Sequence, residues 1–151
     1  MVTAVFLDTN VLVHARDVDE VKKHRKARRL MEALHGRRTV ISTQVLSEYA
    51  NVMTHPGKLS QNPTLVATFV KNIETDLTVV QVTPETVVRA IAARARWGLD
   101  YYDAQIWASA ALAGVPVVLS EDFSDGLELG PVRFVDPFAP GFELEGIDFA
   151  E

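Results

Sequence analysis

Residues 115–119 read Val-Pro-Val-Val-Leu, a strand-length run with no polar side chain. A run of that kind belongs to a strand covered on both faces, the usual state of a parallel strand between two layers of helices. Other β-rich runs occupy residues 3–7, 39–41, 77–82 and 132–135. Most of the intervals between them carry helical periodicity and helix punctuation. Strands alternating with helices give an α/β chain: a central parallel sheet of about five strands with helices on both faces, in three α/β/α layers.

The helix ends follow from the residues that stop them. Residues 10–15 form a short helix after the first strand. Residues 20–35 set Ala27, Leu30, Met31 and Leu34 on one face at i, i+3, i+4 and i+7, and Gly36 closes that helix. Ser42 or Thr43 caps the next, whose apolar positions are Val45, Tyr49 and Val52, and Pro56-Gly57 stops it. Helical spacing resumes over residues 63–73. Pro84 opens a helix that runs to Trp97 and ends at Gly98, and Asp100 caps one running to Ala113 before Gly114.

The 151 residues are enough for one domain with a substantial core, and no internal repeat or linker divides them. A domain over residues 1–138 is expected, followed by an acidic tail, residues 139–151, carrying Phe142, Leu144, Ile147 and Phe149. The tail reads as frayed, or through its aromatics as a segment that docks on a neighbouring subunit. Zero Cys excludes a disulfide framework, a thiolate nucleophile, a thiolate zinc site and an iron–sulfur cluster. The first residues lack the basic flank of a secretory signal, and the longest apolar stretch, residues 110–119, is about half of what a bilayer requires. No membrane association is expected, and a cytoplasmic location is.

Charge is unevenly placed. The net charge is -5, yet residues 22–38 hold 8 of the 15 Lys and Arg residues against Glu32 alone. Residues 121–151 hold nine carboxylates and only Arg133. The basic run is either the solvated face of an amphipathic helix or a face that binds phosphates, since clustered cations repel one another until a polyanion relieves them.

In an open parallel sheet, ligands sit beyond the carboxyl ends of the strands. Asp8 directly follows the first strand, and Asp122 follows the Val-Pro-Val-Val-Leu strand after Ser120 and Glu121. Asp103 lies in a first helical turn whose cap Asp100 already supplies, so macrodipole stabilisation is its structural role and a ligand its functional one. Glu48 falls in the apolar stripe with Val45 and Val52, where a charge is costly without a cation or strong hydrogen bonds. Pairing with an Arg is the structural alternative. Together the acids suit a hard cation, Mg²⁺ or Mn²⁺, and the chemistry that follows is phosphodiester hydrolysis. Glycine-rich phosphate loops, a Gly-x-Ser-x-Gly elbow and His-Glu-x-x-His are all missing, and His14, His24, His35 and His55 lack ligand spacing. A phosphoaspartyl transferase would place a second Asp at position 10, where Asn10 stands.

Asp8-Thr9-Asn10 after the first strand, Ser42-x-x-Val45-Leu46-x-Glu48, Tyr102-Asp103-Ala104-x-Ile106 and Ser120-x-Asp122 stand in the order of a known family. The chain resembles the PIN domain family, specifically the VapC-type toxins of toxin–antitoxin pairs, over roughly residues 2–138. The resemblance implies a Mg²⁺- or Mn²⁺-dependent endoribonuclease, usually homodimeric, inhibited by a cognate antitoxin that inserts a segment into the active-site groove. It assigns Asp8, Glu48, Asp103 and Asp122 to the metal and to catalysis. Asn10 supports the site by orienting a carboxylate and Ser120 by a hydroxyl near the metal, while Asp125 matches an acid found in only some relatives. RNA phosphates are expected on Lys22, Lys23, Arg25 and Lys26, with Arg16 or Arg96 assisting. The competing expectation is a non-catalytic PIN-like module that binds RNA or a protein. A nuclease for structured DNA would need an extra arch or gripping insertion for which the chain has no room.

Overall fold

A computed structural model describes residues 4–144 and the backbone of residues 147–148. Every residue of β1 (Ala4–Leu7) is buried, as expected of a central strand with both faces covered. The chain then forms α1 (Thr9–His14), α2 (Val21–Leu34), β2 (Arg38–Ser42), α3 (Thr43–Thr54), α4 (Pro63–Asp76) and β3 (Thr78–Val80). It continues through α5 (Pro84–Trp97), α6 (Tyr101–Leu112), β4 (Val117–Leu119), β5 (Glu128–Leu129), β6 (Val132–Val135), β7 (Glu143–Leu144) and β8 (Ile147–Asp148).

The main sheet has the order β3-β2-β1-β4-β6-β5, parallel except for β5, which pairs antiparallel with β6. From β1 the chain builds outward through β2 to β3, then returns to lay β4 on the other side of β1. Consecutive connections therefore diverge beyond the carboxyl ends of β1 and β4, and this opens a crevice there. Helices flank the sheet in two packed groups. In one, α1 packs on α2 and α3, and α3 on α4; in the other, α5 packs on α6, and α6 on β2, β4 and β6.

The parallel core and its helices match the sequence expectation, with six strands in the sheet where about five are expected. The additional strand, β5, spans two residues and has no periodicity of its own to read; tertiary contacts hold it. The Trp107 indole N–H donates to the Leu129 carbonyl at 2.9 Å, fixing β5 to α6. Residues 104–110 of α6 are buried without interruption, because the helix lies between α5 and the sheet and needs no polar stripe. Gly98, with φ +68°, turns the chain from α5 into α6 in a left-handed conformation that a side chain would strain. Phe142 and Leu144 are buried in the chain's own core rather than exposed along a frayed segment. The side chain of Ile147 and all of Phe149 lie outside the described residues.

The apolar face of α3 differs from expectation. Val45, Tyr49 and Met53 are its buried apolar residues, and Val52 is only half-buried. Glu48 is half-buried too, so the helix is rotated enough to bring its carboxylate to the rim of the core instead of into it. No Arg pairs with it among the described residues; hydrogen bonds from Thr9 and Gln44 compensate its charge.

Candidate active site

The centre is built on the residues that leave β1 and β4. Asp8 caps α1, accepting from the Thr9 N–H at 2.7 Å, and its other oxygen accepts from the Ser120 hydroxyl, also at 2.7 Å. Ser120, fully buried, accepts in turn from Asn10 Nδ2 at 3.1 Å and the Asp122 N–H at 3.1 Å. One donor and two acceptor positions are all a hydroxyl has, so Ser120 is saturated and cannot rotate without losing a bond. Asn10 Oδ1 accepts from the Glu121 N–H at 3.3 Å, which can only donate, and this settles which end of the amide faces Asp122. Asn10 Nδ2 then lies 3.3 Å from Asp122 Oδ2.

Glu48 comes to the same crevice from α3. Thr9 Oγ1 donates to its Oε2 at 2.8 Å and Gln44 Nε2 to its Oε1 at 3.0 Å. Asp103, half-buried in the first turn of α6, is the fourth acid. Burial pushes the Asp8 carboxyl from its ordinary 3.8 up to about 6, against the lowering effect of the Ser120 and Thr9 bonds, and the charges of Asp122 and Glu48 push the same way. Burial also raises Asp103, with Asp100, Asp122 and Glu48 adding their repulsion. Four carboxylates from four segments thus repel one another, and among the described residues no Lys, Arg or His pairs with any of them.

Glu121, their neighbour in sequence, has a different environment. Burial works to raise it, but Lys23 Nζ at 2.8 Å and His14 Nε2 at 2.9 Å hold it below the ordinary carboxylate range. The His14 ring packs edge-on against Phe138 with centroids 4.9 Å apart. This network ties the loop carrying Asp122 to α1 and α2. A cleft of about 420 Å³ opens beside it, lined by Thr9, Asn10, Val13, His14, Glu48, Asn51, Val52, Glu121 and Asp122.

Of the expected site residues, Asp8, Asn10, Glu48, Asp103, Ser120 and Asp122 meet in this region. Asp125 does not: it accepts from the Asp136 N–H at 3.0 Å and lines a separate cleft with Arg133. The chain turns away after Asp122 because Phe123 is anchored against Phe134, with ring centroids 4.0 Å apart. The basic face of α2 divides. Lys22 and Arg25 are exposed, whereas Lys23 holds Glu121 and Lys26 donates to the Phe138 carbonyl at 3.1 Å. Arg16 stacks on Phe69 at 3.9 Å, and Arg96 lies over Trp97 at 4.8 Å. Sequence reading missed Thr9, Gln44, Gln105, His14, Lys23 and Glu121 as members of the site's supporting network. A signal existed for two of them: His14 is one turn from Asn10, and Gln44 one turn from Glu48, on the same helix faces.

The donor set fits a hard divalent ion. All four groups are carboxylates, their mutual repulsion has no protein cation to relieve it, and Asp103 takes no hydrogen bond from the described residues. No three such side chains among the described residues are already gathered tightly enough to enclose an ion. Asp103 is the one left unrestrained by hydrogen bonds.

The family model for the PIN domain matches residues 5–124. The chain belongs to the PIN domain family. This PIN domain is similar in fold to a toxin–antitoxin complex from Klebsiella pneumoniae, at 19% identity and a TM-score of 0.64 over 88% of this chain and 97% of that one. It is similar to VapC20 of Mycobacterium tuberculosis, described as a toxin cleaving the sarcin–ricin loop, at 19% identity and a TM-score of 0.61 over 76% and 86%. DNA-bound VapBC from Salmonella typhimurium aligns at 19% identity with a TM-score of 0.65 over 89% and 98%. No curated protein sequence matches the chain. No helix among the described residues of this PIN domain is long and apolar enough to cross a membrane.

Proposed function

We propose that this PIN domain is a metal-dependent endoribonuclease, the toxin of a toxin–antitoxin pair, acting as a homodimer and restrained by a cognate antitoxin. The observation that carries the reading is the unneutralised set Asp8, Glu48, Asp103 and Asp122 at the switch point of the sheet. Mg²⁺ or Mn²⁺ held by these four would lower the pKa of an attacking water and neutralise charge on the scissile phosphate. Ser120 and Asn10 keep Asp8 and Asp122 in fixed relative positions, so little reorganisation remains for the reaction itself. Glu48, on the wall of the cleft, orients the water, and burial of Asp8 excludes solvent from the base of the site. Exposed Lys22 and Arg25 contribute phosphate contacts to the RNA, and the cleft beside the acids receives the strand.

The structural neighbours that are toxin–antitoxin complexes support an antitoxin as partner, one that would occupy the same crevice. Incubating the purified protein with cellular RNA in Mg²⁺, Mn²⁺ or EDTA, beside Asp8→Asn and Asp122→Asn, tests the reading. Discrete metal-dependent cuts, lost in both variants, are expected. RNA binding without cleavage in any metal would move the protein to the non-catalytic class.

A further inference from the structure

Two glutamines meet in the interior where α3 approaches the start of α6. Gln44 and Gln105 are 8% and 7% exposed. Their bonds run in one direction. Gln44 Nε2 lies 3.1 Å from the Tyr102 carbonyl, which can only accept, so the amide nitrogen must face it. The same nitrogen donates to Glu48 Oε1 at 3.0 Å, and its partner atom Oε1 accepts from Gln105 Nε2 at 2.9 Å. Gln105 Oε1 is then left to accept from the Tyr101 hydroxyl at 2.9 Å. Each amide is thereby locked in one orientation.

Resting on the metal-dependent reading above, we propose that Gln44 and Gln105 are positioning residues. They fix the Glu48 carboxylate relative to the Asp103 turn of α6 and present it with donors, so that its remaining lone pairs point to the cleft. Three observations converge. Buried amides cost stability relative to apolar side chains of the same shape, so a pair of them calls for a use. The relay ends on one of the four site acids. Its other branch ends on the carbonyl of Tyr102, the residue before another of the four. The relay therefore sets the spacing between the α3 acid and the α6 acid, which come from different parts of the chain and share no direct bond.

The test uses Gln44→Met and Gln105→Met, which keep the volume and delete the amides, alone and together in the full chain. Isothermal titration with Mn²⁺ should show affinity weakened about 10–100-fold in each variant, with kcat for RNA cleavage falling by a similar factor and KM nearly unchanged. The double variant should be no worse than Gln44→Met alone, because Gln105 acts only through Gln44. Each single variant strands a buried amide partner and should melt below wild type, whereas the double variant, which removes both amides, should recover toward wild type in melting temperature while its Mn²⁺ affinity stays low, and this separates positioning from general damage. Gln44→Glu, which turns the donor into a second carboxylate facing Glu48, should be worse than Gln44→Met in Mn²⁺ affinity. Wild-type affinity and kcat in both Met variants would overturn the positioning role while leaving the nuclease reading intact. A wild-type protein that neither binds Mn²⁺ nor cleaves RNA would overturn both.

Discussion

Replacing Asp8 by Asn should make the metal-free protein more stable at pH 8 and less stable than wild type once metal is added. Asp8 is 5% exposed, and burial raises its carboxyl from 3.8 to about 6. A carboxyl that holds its proton more tightly when folded contributes stability that is fully present below pH 3.8. That contribution is lost as pH rises through about 6, so ionised Asp8 opposes folding above that pH. The difference corresponds to about 3 kcal/mol at pH 8. Asn removes the charge and keeps the bond from the Thr9 N–H, but its Nδ2 would face Ser120 Oγ, whose acceptor positions Asn10 and Asp122 already occupy. Loss of that hydrogen bond costs about 2 kcal/mol. A net gain of about 1 kcal/mol remains, or about 2–4 °C in Tm for a chain of this size. Thermal melts in EDTA at pH 8 should show that rise, shrinking and reversing toward pH 4. Mn²⁺ at 100 times its Kd adds about 2.7 kcal/mol to a protein that binds it, so wild type should overtake the variant there. Mn²⁺ affinity should also weaken as pH falls below 6, because a proton competes for the same carboxylate. A variant uniformly less stable than wild type from pH 4 to 8 would refute the assignment of a destabilising charge to Asp8.

Lys23→Ala should act through the loop that carries Asp122, since Lys23 anchors Glu121 from α2. The expected result is a larger fall in kcat than rise in KM, with a stability loss under about 1 kcal/mol by chemical denaturation. Lys22→Ala and Arg25→Ala, at exposed positions, should instead raise KM, and each should lower the slope of log affinity against log salt by about 0.7 in RNA-binding titrations. Gly98→Ala meets no neighbouring atom but must hold φ near +68°, so a loss of about 1 kcal/mol in stability with unchanged cleavage is expected.

Much of the candidate site was legible because the four acids proposed for it stand at positions the chain itself announces. Asp8 and Asp122 follow apolar strands, Asp103 follows a cap already filled by Asp100, and Glu48 sits on a helix one turn from apolar neighbours. Strand positions and helix ends were equally local: glycine, proline and capping residues act through their own backbone, and α5 runs from Pro84 to Trp97 as the sequence alone indicates. Folding in three dimensions decided what depends on distant partners. β5 exists because β6 and Trp107 hold it, and Phe142 and Leu144 pack home because a core surface waits for them. Lys23, Lys26 and Asp125 each look like members of a functional set in one dimension. In the fold, Lys23 serves Glu121, Lys26 serves a carbonyl and Asp125 serves Asp136. The Gln44–Gln105 bond has no sequence signature, since it joins residues 61 positions apart and forms only because the fold brings the first turns of α3 and α6 together. Periodicity and punctuation are properties of a segment, whereas burial, pairing and shifted acidity are set by whichever segments the tertiary structure brings alongside.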